Sequence, residues 1–356
     1  MPVSRTVSIS LVIIATVVVF YVLSVGRELL VPFAVAVMIW YIINALSRVY
    51  GRWLLRGKQS TNWLTLLLAL ATIVLVAGML VDMVQANIAR VAEAVPGYRA
   101  NLERILNKVV KWTGTEQLPS ISQLIDTIEL GVGPMVSRLL SAATGILSNA
   151  GLIVIYVIFL LVEQKTFTGK LDFLFTEPKS RESAAQLLSH MQSDIQTYIS
   201  IKTLMSLTTG LLSYVVLVFV GVDYAEFWAF TIFLLNYIPT IGSIVATVFP
   251  ALLTLIQFDT LYPFLAVAAG LTGVQFIIGS LVEPKLMGGS LNLSPLIMLL
   301  SLVLWGSVWG IAGMFLSVPI TVILMIVLAH FSSTRPIAVL LSGDGRVRTA
   351  AEINRV

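Results

Sequence analysis

Four groups of residues in this chain are of types that do chemistry. The first is Asn236-Tyr237-Ile238-Pro239-Thr240-Ile241-Gly242-Ser243, inside an uncharged apolar run from Phe227 to Phe258. It sets an amide, a phenol, hydroxyls and a helix-breaking proline where the surroundings are apolar. Broken helices with exposed N–H and C=O ends are how transporters hold ions and polar solutes. The plainer reading is a proline kink whose polar atoms bond to neighbours. The second group is Glu283-Pro284-Lys285-Leu286-Met287-Gly288-Gly289-Ser290, followed by Asn292 and Ser294-Pro295. Glu283 and Lys285 are the only charges between Asp259 and His330. They are either membrane-buried charges facing a partner or water, or part of a solvated loop with Gly288-Gly289 as its turn.

In the third group Ser301, Trp305 and Trp309 share one helix face, and Gly306 and Gly310 make a GxxxG that Gly313 extends. That spacing lets helices approach closely; the sharper alternative is a tryptophan face lining a substrate path. Leu316-Ser317-Val318-Pro319 then predicts a second helix break, echoing Ile238-Pro239. The fourth group is Glu163 and Asp82, which close apolar runs and read as interfacial end charges or coupling sites.

What is missing narrows the chemistry. The chain has no Cys and two distant histidines, His190 and His330, so thiolate chemistry is excluded and a metal site is not expected. No GxxxxGK[ST] loop and no HExxH occur. Ser243 and Ser290 each follow a glycine, but neither has a base to activate it, so packing or backbone solvation is the better reading. The expectation is a protein that is not an enzyme and needs no cofactor.

The elements that must position these groups are membrane helices. Of 356 residues, 58% are hydrophobic and 11% charged, and the mean hydropathy is +0.96. So few charges cannot coat a globule in water, where about 25% is usual. A span needs about 20 mostly apolar residues. Ser8–Val25, Leu29–Leu46, Trp63–Val81, Ile146–Val162, Leu204–Val222 and Thr260–Val282 qualify, the first as a retained helix rather than a signal peptide. Phe227–Phe258 and Leu286–Ala329 are awkward lengths with internal prolines, so each is a broken span or a re-entrant hairpin.

The fold class expected is therefore all-α, a polytopic integral membrane protein. Its segments are three transmembrane helices in 1–84, an extracytoplasmic amphipathic helical insertion in 85–145, a fourth span in 146–163, a cytoplasmic amphipathic helix in 164–203, a core with broken helices in 204–334, and a basic tail in 335–356. Arg48, Arg52, Arg56 and Lys58, with Arg335, Arg346, Arg348 and Arg355 in the tail, place both termini in the cytoplasm. The net charge of +4 is topology charge dispersed in short loops, so nucleic acid is not an expected partner.

Several of these stretches together resemble the bacterial autoinducer-2 exporter family. They are the Asn236–Ser243 octapeptide, Glu283-Pro284-Lys285-Leu286-Met287-Gly288, Leu293-Ser294-Pro295, the run Leu300-Ser301-Leu302 to Trp305-Gly306, and Gly313-Met314-Phe315-Leu316-Ser317-Val318-Pro319. Val31-Pro32-Phe33 and Glu163 are similar as well. The resemblance implies about eight membrane segments, an extracytoplasmic insertion, and a homo-oligomer, a pentamer, in the bacterial inner membrane. It implies export of autoinducer-2 in some members and sodium–proton antiport in others. A small polar solute or cation and membrane lipid are then the expected partners. The expected transport path takes in Asn236, Tyr237, Pro239, Thr240, Gly242, Ser243, Glu283, Lys285, Ser294, Ser301, Trp305 and Pro319. A channel or scaffold without coupled transport is the remaining alternative.

Overall fold

The computed structural model describes residues 5–54, 63–79, 82–83, 148–164, 166, 169–170, 178–287 and 292–346. The expected extracytoplasmic insertion at 85–145, the lower part of the Arg48–Lys58 loop and Gly288–Ser290 lie outside these residues. All named elements are helical. The chain divides into two compact units, one of Met1–Ile42, Thr144–Tyr198 and Gly289–Val356, the other of Ile43–Ala143 and Ile199–Gly288.

In the first unit, α1 (Arg5–Val25) meets α2 (Arg27–Leu54) at Gly26. α2 enters the second unit beyond Ile42 and is followed there by α3 (Trp63–Met79). α4 (Ala150–Glu163) returns to the first unit and ends at Glu163, which is ion-paired with the exposed Lys170. Trp40 of α2 donates its indole N–H to Gln164, 2.8 Å away, just past the end of α4. Glu163 is thus a half-buried end charge paired with a local lysine.

α5 runs from Pro178 to Val220 without a break. Proline suits a first turn, whose N–H would be unpaired anyway. Its 43 residues are about twice the number that a single span needs. The expected cytoplasmic helix and fifth span fall within one helix. It stops at Gly221 (φ +81°), where the amides of Val222 and Gly221 return to the carbonyls of Leu217 and Val218 in a Schellman cap.

The run 227–258 resolves into a helical hairpin of the second unit, α6 (Ala225–Leu235) and α7 (Ile241–Gln257), packed against each other. Gln257 staples its open end: its side chain accepts the amide of Asp223 and donates to the carbonyl of Gly221. α8 (Tyr262–Gln275) packs on α7, then widens into a π-helix over Phe276–Val282 and closes with α9 (Glu283–Met287). π-helical turns inside α-helices are uncommon and concentrate at functional sites.

α10 (Pro295–His330) corrects an expectation. The helix breaks at Gly310 (φ 62°, ψ −140°), and Pro319 is buried within its continuous second half. Gly306 lies beside Met314 and Gly313 against the Trp305 carbonyl, contacts that residues about 12 Å apart along a straight helix would never make. Gly306 and Gly310 are therefore not one flat face for another helix. Gly310 supplies the bend, and Gly306 and Gly313 supply the room that the bend requires.

The tail is more ordered than its composition suggests. α11 (Arg335–Leu341) leads to an antiparallel bridge between Ser342 and Leu293, with Ser294 N–H donating to Leu341 and Gly343 N–H to Asn292. The Asn292 amide donates to Asp344 at 2.7 Å. The Arg346 amide and Asn292 hold the Asp344 carboxyl below its ordinary range. A carboxyl whose folded pKa is depressed contributes above its unfolded value and loses that contribution as pH falls through the folded one. The clasp is expected to persist at neutral pH and loosen on acidification below the usual carboxylate range. Hydrogen exchange at Ser294 and Gly343 measures this, and Asp344→Asn should give the loosened exchange already at neutral pH. Unchanged exchange in that variant would exclude a role for the charge.

Candidate functional site

The turn between α6 and α7 is built by Asn236-Tyr237-Ile238-Pro239-Thr240. Pro239 has no N–H to offer, and its carbonyl accepts the Ile241 amide across Thr240, at φ 62° and ψ −60°. This is the strained γ-turn, unusual for any residue and more so for a β-branched one. Such a conformation costs about 1–3 kcal/mol and persists where the surroundings enforce it, often at functional sites. Gly242 closes the hairpin: a Cβ there would lie 1.8 Å from the Leu235 carbonyl oxygen. Replacing Thr240 with glycine is expected to raise thermal stability by relieving the turn. A lower melting temperature would mean that the Thr240 side chain does more than tolerate its backbone.

The polar front of this turn is buried against α5. Asn236, 4% exposed, donates its side-chain amide to Ser206 Oγ at 3.1 Å. The Tyr237 hydroxyl donates to Thr203 Oγ1 at 2.7 Å, and Thr203 donates in turn to the Ile199 carbonyl of its own helix. On the same stretch of α5, Lys202 Nζ lies 2.6 Å from Glu283 at the end of the π-helix, both side chains largely buried. Three consecutive pairings thus form one polar layer in an apolar unit.

The layer brings together Asn236, Tyr237 and Glu283 among the residues singled out from the sequence. Pro239, Thr240 and Gly242 shape its turn, and Ser243 starts α7 half-buried. Glu283 belongs to no solvated loop, because it caps a π-helix and is ion-paired, whereas Lys285 lies two residues further on and is exposed.

The other candidates belong to the first unit and have local partners there. Ser294 precedes α10 in the tail clasp. Ser301 and Ser317 turn their hydroxyls onto the Met298 and Met314 carbonyls of their own helix. Trp305 lies 6.3 Å, ring to ring, from Phe20 of α1 and 5.7 Å from Trp309. Trp309 donates to the Leu23 carbonyl at 2.9 Å, satisfying one of the last carbonyls of α1, which have no partner within that helix. The tryptophan face here is a helix-packing face.

Lys202, Thr203 and Ser206 were not singled out from the sequence. Their signal was spacing: Lys202, Ser206, Thr209 and Ser213 recur every three or four residues along one face of α5. Thr209 and Ser213 are 0% and 1% exposed, and their hydroxyls have no hydrogen-bond partner among the described residues. An uncompensated buried hydroxyl costs about 1–3 kcal/mol. Among the described residues no cluster of acidic, histidine or cysteine side chains could hold a metal ion.

A buried hydrogen-bonding layer on a broken helix, in a chain with four helices among the described residues long and apolar enough to cross a membrane, suits passage rather than catalysis. Comparison with known proteins agrees. The sequence profile of the AI-2E family transporter matches residues 9–333. This chain belongs to the AI-2E transporter family. It is 30% identical to the "AI-2 transport protein TqsA" of Escherichia coli K12 over 321 residues, 89% of this chain and 90% of that protein. It is 31% identical over 326 residues to a "Putative transport protein" of Haemophilus influenzae, covering 90% of this chain and 91% of the relative. It is 28% identical over 333 residues to the "Putative transport protein YhhT" of E. coli K12, covering 91% and 90%. The AI-2E transporter family consists of transport proteins, not enzymes, and this member is an all-α, multi-pass membrane protein.

Proposed function

We propose that this AI-2E family member exports a small polar solute across the bacterial inner membrane, with autoinducer-2 the first candidate because TqsA carries that name. The observation that carries the reading is the buried layer of Asn236–Ser206, Tyr237–Thr203 and Lys202–Glu283 beside a strained turn. Polar groups at membrane depth must face protein, water or cargo, since lipid satisfies none of them. As the closed state pairs them with one another, an opened state presents an amide, a phenol and two hydroxyls to a solute. Both termini and the basic loop lie in the cytoplasm, residues 85–145 lie outside, and the working form is a homopentamer.

Cation–proton antiport is the second reading, and the observation on its side is Glu283, a carboxylate within the layer. Its charge is met by Lys202, which leaves the layer neutral and favours a neutral cargo. Flux into liposomes decides between them. Asn236→Leu and Ser206→Ala should insert normally and lower autoinducer-2 flux by about 3- to 10-fold, the cost of one lost hydrogen bond. Sodium-driven proton movement without solute flux would favour the antiporter. Wild-type solute flux in both variants would remove this layer from the path.

A further inference from the structure

α5 carries two different faces past the Asn236 turn. Leu207, Leu211, Val215, Val218 and Phe219 are 49–92% exposed, as lipid-facing residues should be. Lys202, Ser206, Thr209 and Ser213 form a buried row on another face. Two neighbouring hydroxyls of this helix are answered locally: Thr203 and Thr208 bond the Ile199 and Leu204 carbonyls four residues back. Thr209 and Ser213 do not, although carbonyls at the same offset precede them. They are completely buried and meet no partner among the described residues.

A buried hydroxyl without a partner is rare in a native protein and calls for a water, a ligand or a second conformation. We propose that Thr209 and Ser213 are binding groups for the passing solute. The path then continues from the Asn236–Ser206 contact along α5 to Ser213, about 10 Å further at the rise of a helix. In the closed packing these hydroxyls are masked. When the unit opens, they hydrogen-bond hydroxyl or carbonyl groups of an uncharged cargo. Hydroxyls suit such a cargo because each both donates and accepts. The one charged residue of the row, Lys202, is paired with Glu283. This inference rests on the path reading above and extends it to two residues outside the paired layer.

The native chain has no cysteine, so single-cysteine variants of the full-length protein give a clean test. Ser206→Cys, Thr209→Cys, Ser213→Cys and Leu217→Cys would be reconstituted in liposomes and treated with a small water-soluble methanethiosulfonate. Leu217 is the control, an apolar residue fully buried one turn beyond Ser213, where the proposed path ends. Positions 206, 209 and 213 are expected to label about tenfold faster than 217 through a minor open state, with autoinducer-2 slowing them. If 206 labels while 209 and 213 match 217, the path reading stands and this extension fails. If none labels, the path reading itself fails. Thr209→Val and Ser213→Ala should keep the melting temperature and raise KM for autoinducer-2 about 3- to 10-fold, the equivalent of one lost hydrogen bond. An unchanged KM in both would overturn the binding role.

Discussion

Lys202→Met is expected to destabilise the protein by about 3–5 kcal/mol, because it leaves the Glu283 carboxylate buried without its counter-charge. The two side chains are 8% and 14% exposed, so water screens little of the interaction. Removing both partners should behave differently. Lys202→Met with Glu283→Leu replaces the pair by apolar groups of similar size, which is often neutral or stabilising. Thermal unfolding in detergent of the two single variants and the double variant measures the coupling. The expected pattern is a severe loss in Lys202→Met, a loss in Glu283→Leu, and recovery of most of the deficit in the double variant. A Lys202→Met protein that melts with the parent would show that the pair does not secure the α5 and α9 contact. Flux separates stability from function: a double variant that folds but does not transport would make the pair part of the path.

The contrast between the two broken runs shows what a one-dimensional reading can find. The hairpin turn at Asn236–Thr240 was visible because asparagine, proline and a glycine two residues beyond the turn all disfavour helix, and because the run was too long for one upright span. The second break was misplaced. Pro319 lies inside a helix, a cost that neighbouring groups can meet in a packed membrane helix, while the chain turns at Gly310. Nothing in the sequence distinguishes Gly310 from Gly306 or Gly313, since what separates them is a backbone angle set by packing. The α5 row escaped for a different reason. Its four polar residues are diluted among leucines and valines, and Lys202 stood beside a boundary between a soluble segment and a span. Its partner Glu283 is 81 residues away, a contact that no local pattern encodes. The composition, the helical character of the long apolar runs and the interior location of Asn236 are all within reach of elementary rules. The pairing of the two clusters was not.

The two hairpin glycines carry the other large effect. At Gly242 a Cβ would lie 1.8 Å from the Leu235 carbonyl oxygen, and at Gly313 the same distance from that of Trp305. Both obstacles are backbone, so no side-chain rotation relieves them and the hairpin or bend must open. Gly242→Ala and Gly313→Ala are each expected to exceed about 4 kcal/mol of destabilisation, the range reserved for a disrupted backbone arrangement. Gly306 has a different neighbour. Its Cβ would meet the Met314 side chain at 3.0 Å, and methionine adapts by rotating about its flexible bonds, so Gly306→Ala should cost about 1 kcal/mol or less. Gly310 separates collision from conformation, for nothing lies within 4 Å of its missing Cβ, yet φ 62° with ψ −140° belongs almost solely to glycine. Gly310→Ala should therefore destabilise through the backbone alone, by about 1–3 kcal/mol. Melting curves of the four variants, purified in one detergent, test this order: Gly242 and Gly313 most severe, Gly310 intermediate, Gly306 mild. Should Gly242→Ala melt like Gly306→Ala, the close approach at Leu235 would not be what closes the hairpin.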